Sequence, residues 1–205
     1  MDTAKAIRHL KKVDPDLAEV IRRVGPCDLK PEKSRTIYAS LVRSIVYQQL
    51  TGKVAGIIFG RLLDLFHGKK FPTPENILAL SVDTLRGVGL SNQKTQYIRN
   101  IAQATIDGVV PDSRKANRMS DDELVDQLTS IKGVGRWTVE MLLIFRLGRP
   151  DVLPATDYGV QKGFAVAKRL TDHPKPKELL AAGECWAPHR TVAAWYLWRT
   201  ADTAN

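Results

Sequence analysis

Residues 128–138 have the sequence Leu-Thr-Ser-Ile-Lys-Gly-Val-Gly-Arg-Trp-Thr. This stretch joins two segments of helical periodicity, at about 121–128 and 136–147. Two glycines around one apolar residue allow a tight turn whose backbone can approach a ligand closely. Val134 can fold back between the helices and fix the turn. The stretch therefore predicts a hairpin between two helices.

This hairpin has the features of an anion site. A helix start carries unpaired N–H groups and the positive end of the helix dipole, and both attract negative charge. In a basic chain the natural anion is phosphate, although a purely structural turn would also use these glycines. The expected phosphate contacts are Lys132, Gly133, Val134, Gly135, Arg136 and Thr138. The backbone carbonyls of Ile131 and Val134 can hold a monovalent cation, Na⁺ or K⁺; no other cofactor is expected.

Helical periodicity continues through most of the chain, whereas the alternating pattern of half-buried strands is scarce. Thr73-Pro74-Glu75 is typical of an N-cap followed by proline at the first helical position. Ser120 with Glu123 is typical of a capping box. Further helices are predicted at about 4–12, 15–24, 35–50, 53–66, 94–107, 156–169, 176–182 and 190–200. We predict an all-α protein of about ten helices, one unit over residues 1–205, with the hairpin motif at about 121–147.

The composition of the chain argues against several classes of protein. The 205 residues are 43% hydrophobic and 26% charged, which excludes wholesale disorder. No apolar run approaches the roughly 20 residues of a membrane span. The first 25 residues lack a signal-peptide core. Cys27 and Cys185 form no CxxC pair, which disfavours a disulfide framework, a zinc site and an iron–sulfur cluster and favours an intracellular protein.

The formal net charge of +9 indicates an acidic partner such as nucleic acid, or only good solubility. The positive excess is uneven. Residues 1–100 contain 17 Lys and Arg against nine Asp and Glu, whereas residues 101–205 contain 14 against 13. If the partner is DNA, the first half is expected to supply much of the salt-sensitive, sequence-independent attraction.

Four ordered blocks resemble the helix–hairpin–helix DNA glycosylases, and among them the 3-methyladenine DNA glycosylase II group. They are IVYQQLTGKVAG at 45–56, LTSIKGVGRWTVEMLLIF at 128–145, DVLPATDYGVQKG at 151–163 and CWAPHRTVAAWYLWR at 185–199. The resemblance implies two helical lobes with the active-site cleft between them. It also implies a monomeric repair hydrolase that removes 3-methyladenine and 7-methylguanine from double-stranded DNA and leaves an abasic site. Such a protein has no membrane role and works in the cytoplasm and nucleoid of a prokaryote or in a eukaryotic nucleus.

Asp157 is the candidate catalytic residue. Its local sequence predicts only a helix N-cap, which contributes about 1 kcal/mol. The resemblance assigns this position to the catalytic aspartate of the family. A fixed carboxylate would stabilise the positive charge that develops on deoxyribose as the N-glycosidic bond breaks.

By the same resemblance, members that also cleave the strand carry a lysine two residues after the second glycine of the hairpin. This chain has Arg136 and then Trp137 after Gly135, so no amine is placed to form a Schiff base, and a monofunctional enzyme is implied. Trp137 can stack on a cationic base, a contact of roughly 0.5–2 kcal/mol. The alternative is a core tryptophan that holds the hairpin.

A glycosylase must flip its target nucleotide out of the duplex, and a side chain usually wedges the stack. The resemblance points to the turn Gln48-Gln49-Leu50-Thr51. Leu50 or Thr51 is the expected wedge, and Gln49 is expected to meet the opposite strand or the gap. A helix end with solvated glutamines is the alternative.

The remaining candidates complete the site implied by the resemblance. The base-pocket candidates besides Trp137 are Tyr47, Met141, Trp186 and His189. Outside the hairpin, phosphate contacts are expected from Lys94, Lys162 and Arg190. Trp195, Tyr196 and Trp198 lie at helical spacing and are expected to pack in the core.

Two other functions remain open at this point. One is a helix–hairpin–helix module that grips DNA without catalysis. The other is a glycosylase for ethenoadenine, hypoxanthine or an oxidised base. The missing lysine and the absence of a four-cysteine cluster count against the bifunctional enzymes for oxidised bases.

Overall fold

The computed structural model describes residues 1–66 and 71–203, and every regular element in these ranges is helical, as predicted. The α-helices are α1 (Thr3–Val13), α2 (Pro15–Val24), α3 (Ile37–Tyr47), α4 (Gly52–Asp64), α5 (Pro74–Ala79), α6 (Val82–Gly87), α7 (Asn92–Ile106), α8 (Ser113–Arg118), α9 (Asp121–Thr129), α10 (Arg136–Leu142), α11 (Tyr158–Lys168), α12 (Pro176–Ala182) and α13 (Arg190–Thr203). A π-helical turn covers Leu143–Leu147, and a 3₁₀ turn covers Gly183–Trp186. Among the described residues, no helix combines the length and the apolar character that a membrane crossing requires.

Helix starts follow the capping signals of the sequence. Ser120 and Glu123 form the predicted capping box at α9, with N–H to side-chain oxygen distances of 3.2 and 2.7 Å. Thr73 caps α5 ahead of Pro74. The helices α6 and α8 are absent from the prediction because each has six residues, fewer than two turns, and shows no usable periodicity.

The segment Glu32–Leu142 forms one compact unit. Helix α3 supplies its core, where Ile37, Leu41 and Ile45 are buried at helical spacing. Both α7 and α10 pack against α3. Removal of this apolar surface from water stabilises the unit, and the packing fixes the two helices that support the hairpin.

Residues Met1–Pro31 and Leu143–Asn205 form the other compact unit. Its helices α11 and α13 pack closely, because Gly163 has no side chain and a Cβ there would overlap the carbonyl of Leu197. The aromatic residues Trp186 and Tyr196 fill the core around them. This packing holds α11, whose first turn carries the candidate catalytic residue.

A buried carboxylate, Asp14, ties several elements of this second unit together. It caps α2 by accepting the N–H of Leu17 at 3.0 Å. It also accepts from Lys168 Nζ at 2.7 Å and from Trp186 Nε1 at 2.9 Å. Burial alone would raise the pKa of Asp14, but these donors outweigh burial and hold the pKa below its ordinary value. The carboxylate is therefore a structural anchor.

Candidate active site

The hairpin between α9 and α10 is built around a buried apolar residue. Val134 is 3% exposed, and its N–H donates to Ile131 O at 2.9 Å, which confirms that it fixes the turn. Gly133 has a φ of +104°, a conformation that side-chain-bearing residues rarely adopt. In the described part of the chain, no group accepts the N–H of Gly133 or Gly135. These donors are therefore available to an anion next to the start of α10.

Two residues of helix α7 contact the hairpin. Gly133 lies so close to the ring of Tyr97 that a Cβ would overlap it. The side chain of Asn100, one turn further along α7, donates to Lys132 O at 3.0 Å. The conformation of the hairpin is thus set by two contacts from one helix.

Asp157 is the N-cap of α11, and its Oδ1 accepts the N–H of Val160 at 2.9 Å. The same oxygen accepts the indole N–H of Trp198 at 2.8 Å. Two donors on one oxygen fix the orientation of the half-buried carboxylate. The N-cap interpretation is confirmed, and it is compatible with a catalytic role.

Trp198 is a residue of this site that the sequence interpretation assigned only to core packing. Its ring stacks on Phe145 with centroids 5.5 Å apart, and it also covers Gly159. A partly buried indole N–H needs an acceptor, so a tryptophan on a helix next to Asp157 indicates a hydrogen bond to that carboxylate. The sequence alone could not indicate this bond, because it does not show that α11 and α13 are neighbours.

The turn between α3 and α4 has an unusual backbone. Gln49 has a φ of +54°, and Leu50 at the tip is 38% exposed. Thr51 caps α4 by accepting the N–H of Val54 at 3.5 Å. Gln48 anchors the other side of the turn, where its Nε2 donates to the hydroxyl of Thr138 at 3.1 Å.

A family model described as HhH-GPD superfamily base excision DNA repair protein matches residues 42–188. The chain belongs to this superfamily. The matched range contains the Gln48–Thr51 turn, the hairpin and Asp157, whereas Trp198 lies beyond its end.

Individual HhH-GPD relatives match over nearly the full chain. DNA-3-methyladenine glycosylase 1 of Schizosaccharomyces pombe is 41% identical over 204 residues, which cover 98% of this chain and 89% of that protein. A solved S. pombe 3-methyladenine DNA glycosylase in complex with abasic DNA superposes with a TM-score of 0.91 at 40% identity, and 98% of each chain is covered. A DNA-3-methyladenine glycosidase from Bacillus halodurans gives a TM-score of 0.81 at 35% identity, over 99% of this chain and 90% of the other.

Two of the predicted site residues have structural roles in this HhH-GPD chain. Thr138 is 1% exposed, its hydroxyl accepts from Gln48, and its N–H donates to Gly135 O at 2.9 Å. The prediction of a phosphate contact at Thr138 is therefore wrong, because the side chain is buried and the N–H is already bonded within the protein. Trp186 is 1% exposed and donates to Asp14, so the prediction that it lines a base pocket is also wrong.

The predicted phosphate-binding cations differ in their surroundings. Lys132 is exposed, and exposed Arg136 donates from Nε to Glu140 Oε1 at 3.1 Å. Lys162 is half-buried on α11. Arg190 grips Asp151 through Nε at 2.8 Å and Nη2 at 2.7 Å.

The two hydrogen bonds to Asp151 neutralise much of the charge of Arg190. The hydrogen bond from Arg190 is also the main cause that holds the pKa of Asp151 below its usual range. Lys94 donates to two backbone carbonyls. Phosphate contacts by Lys132, Arg136, Lys162 and Arg190 stay predictions.

The remaining pocket candidates lie in two places. Trp137 and Tyr47 are half-buried and Met141 is buried, all in the unit Glu32–Leu142. The guanidinium of Arg43 covers the ring of Tyr47 at 3.8 Å. His189, in the unit that contains Asp157, meets the ring of His9 edge-on at 5.3 Å, and burial lowers its pKa. Their contact with a base stays a prediction.

Proposed function

We propose that this chain is a monofunctional DNA glycosylase that hydrolyses the N-glycosidic bond of alkylated purines in duplex DNA and leaves an abasic site. The observation that carries the proposal is the doubly anchored carboxylate of Asp157 in an HhH-GPD chain. The relatives described above are named for 3-methyladenine, which supports this substrate class. A module that only grips DNA would not need a fixed carboxylate.

DNA binding begins at the hairpin. The unused N–H groups of Gly133 and Gly135 offer donors to one phosphate, and exposed Lys132 and Arg136 add positive charge beside them. Such contacts are independent of base sequence, as a repair enzyme requires when it searches for rare lesions.

The turn Gln48–Thr51 supplies the wedge. Thr51 is engaged as the cap of α4, whereas Leu50 is apolar and exposed at the tip. Apolar wedges are the usual means of unstacking a base step. Leu50 therefore enters the gap left by the flipped nucleotide, and exposed Gln49 lies beside it to meet the opposite strand.

The chemistry is a substitution at C1′ of the deoxyribose. The C1′–N bond breaks, and its electron pair leaves with the base, which is a good leaving group because alkylation gives it a positive charge. The Asp157 carboxylate stabilises the positive charge that develops on the sugar. The oxygen of a water molecule then bonds to C1′, and the water loses a proton to Asp157 or to solvent.

The product follows from the residues beside the hairpin. Arg136 and Trp137 follow Gly135, so no lysine amine at that position attacks C1′, and the strand is not cleaved. Trp137 stacks on the cationic base by a cation–π contact of about 0.5–2 kcal/mol. We also assign a contact with the base to Tyr47, Met141 and His189; Met141, which has no π-system, makes it through its thioether.

The proposal includes a cation at the hairpin. The carbonyl oxygens of Ile131 and Val134 fit Na⁺ or K⁺, which prefer oxygen ligands, and Ile131 O keeps a second lone pair beside its bond to Val134. Replacement of K⁺ by tetramethylammonium at constant ionic strength would then weaken DNA binding. We also propose that the enzyme acts as a monomer. It works in the compartment that contains the genomic DNA.

The test compares wild type with Asp157→Asn on methylated duplex DNA, with released bases identified by mass spectrometry and strands analysed on denaturing gels. We expect wild type to release 3-methyladenine and 7-methylguanine and to leave the strand intact until heat or amine is added. Asp157→Asn should bind DNA and release at least about a hundredfold less base, as expected when a transition-state contact is lost. Equal release by both proteins would exclude the role of Asp157, and spontaneous strand cleavage would exclude a monofunctional enzyme.

A further inference from the structure

Lys94 lies on α7, but its ammonium group is directed at the end of α3. Nζ donates to Val46 O at 2.9 Å and to Gln48 O at 2.7 Å. These carbonyls lie at the negative end of the α3 dipole, where a cation is stabilising. Burial lowers the pKa of Lys94. The side chain thus serves as a cap for α3 and for the first residue of the following turn.

The turn that receives this cap is strained. Gln49 has a φ of +54°, and the left-handed region costs a residue with a side chain about 1–2 kcal/mol. Neighbouring contacts must therefore hold the turn in this conformation. The two that touch Gln48 are Lys94 at its carbonyl and Thr138 at its side chain.

The same helix also holds the hairpin. Tyr97 and Asn100 of α7 contact Gly133 and Lys132, at one and two turns beyond Lys94. All these residues belong to the unit Glu32–Leu142. Helix α7 therefore sets the geometry of both segments that the proposed function brings onto DNA.

We propose that Lys94 is a positioning residue that fixes the Gln48–Thr51 turn for insertion into the duplex, rather than a phosphate contact. The proposal rests on the proposed glycosylase function. The ammonium of Lys94 makes two hydrogen bonds to protein carbonyls and holds exposed Leu50 in the geometry that enters the base stack. Loss of the ammonium leaves overall attraction to DNA unchanged but makes base flipping inefficient.

The test uses Lys94→Met, which keeps the length of the side chain and removes its donors, with Lys94→Arg as the conservative variant. Hydrogen exchange of the hydrogen-bonded backbone amides at the two ends of the turn, those of Gln48, Val54 and Ala55, is measured without DNA, so that this readout is independent of any catalytic function. We expect exchange at least about tenfold faster in Lys94→Met, as local opening becomes easier, and partial rescue in Lys94→Arg. Unchanged exchange in Lys94→Met would overturn the proposal.

The second readout separates positioning from phosphate binding. For Lys94→Met, kcat for release of 3-methyladenine should fall about tenfold to a hundredfold, the cost of a misplaced group. The slope of log K against log salt for undamaged duplex should stay unchanged. The phosphate reference, Lys132→Gln, should lower that slope by about 0.9, and exposed Lys115→Met on α8 should change neither value.

The outcomes are distinguishable. A reduced salt slope in Lys94→Met with unchanged exchange would make Lys94 a phosphate contact. If wild type releases no base, the proposed function fails, while the exchange data still decide whether Lys94 holds the turn. Should Lys94→Met fail to fold, Lys94→Gln, which keeps an amide donor, is measured in the same way, and normal exchange and kcat there would overturn the requirement for an ammonium.

Discussion

Trp198 and Asp157 are 41 residues apart in the sequence, yet a 2.8 Å hydrogen bond joins them. A carboxylate that stabilises a developing charge has to be held in place before the charge appears, because reorganisation during the reaction would cost energy. The N–H of Val160 holds Oδ1 from the helix, and the indole holds it from α13. Trp198 is therefore expected to act on catalysis through the orientation of Asp157.

We predict that Trp198→Phe lowers kcat about tenfold at nearly constant KM, because an interaction used in the transition state is weakened. Phenylalanine keeps the stack on Phe145 but has no N–H donor. The lost hydrogen bond to a carboxylate should also lower the free energy of unfolding by about 1–2 kcal/mol. Single-turnover base release and urea unfolding measure the two effects.

Trp195→Phe is the matched control for this prediction. Trp195 lies on the same helix, is buried and packs edge-on against Tyr196. The same substitution there should lower stability and leave kcat near the wild-type value. If both variants lose kcat equally, the effect comes from packing of α13 and not from the bond to Asp157.

At the scale of elements, the hairpin depends on contact between one glycine and one helix. We predict that Gly133→Ala lowers DNA affinity at least about tenfold and stability by about 2–3 kcal/mol, because strained φ and steric overlap act together. The new Cβ would overlap the ring of Tyr97, so the turn has to move away from α7. Fluorescence anisotropy with a labelled duplex and thermal unfolding give the two values.

The control variant Gly108→Ala separates the effect of backbone strain from the effect of steric overlap with a neighbouring side chain. Gly108 has a φ of +77°, close to the left-handed region, but no atom lies within 4 Å of an added Cβ. Its substitution should cost about 1 kcal/mol of stability and leave DNA affinity unchanged. Equal loss of affinity in the two variants would mean that the contact with Tyr97 has no part in DNA binding.

The elements also show what the sequence was able to predict. The hairpin, the capping box at Ser120 and the cap at Asp157 were predicted correctly because each depends on residues a few positions apart. The internal hydrogen-bond partners of Lys94, Thr138 and Trp186 were not predicted, since each partner lies dozens of residues away. A lysine or threonine beside a phosphate-binding motif has the same local sequence whether it faces DNA or the protein interior.

At the scale of the whole molecule, charge and specific contacts are separated along the chain. The positive excess lies in residues 1–100, whereas the hairpin and Asp157 lie in the nearly neutral second half. In the proposed function, backbone amides of the hairpin supply the specific docking, and amides add no net charge. Long-range attraction to DNA is then expected to come mainly from the first half.

This division predicts unequal effects from equal losses of charge. The triple variant Lys12→Gln/Lys53→Gln/Arg61→Gln removes three exposed cations of the first half. The control Arg114→Gln/Lys115→Gln/Lys177→Gln removes three exposed cations of the second half. Binding of undamaged duplex is measured between low and high salt, and each lost phosphate contact lowers the slope of log K against log salt by about 0.9. We expect the first variant to show a smaller salt slope and a lower affinity for DNA than wild type, and the control to change little in either value. Equal losses in the two variants would assign the attraction to net charge alone. If wild type showed no salt dependence, the net charge of +9 would be only a solubility feature.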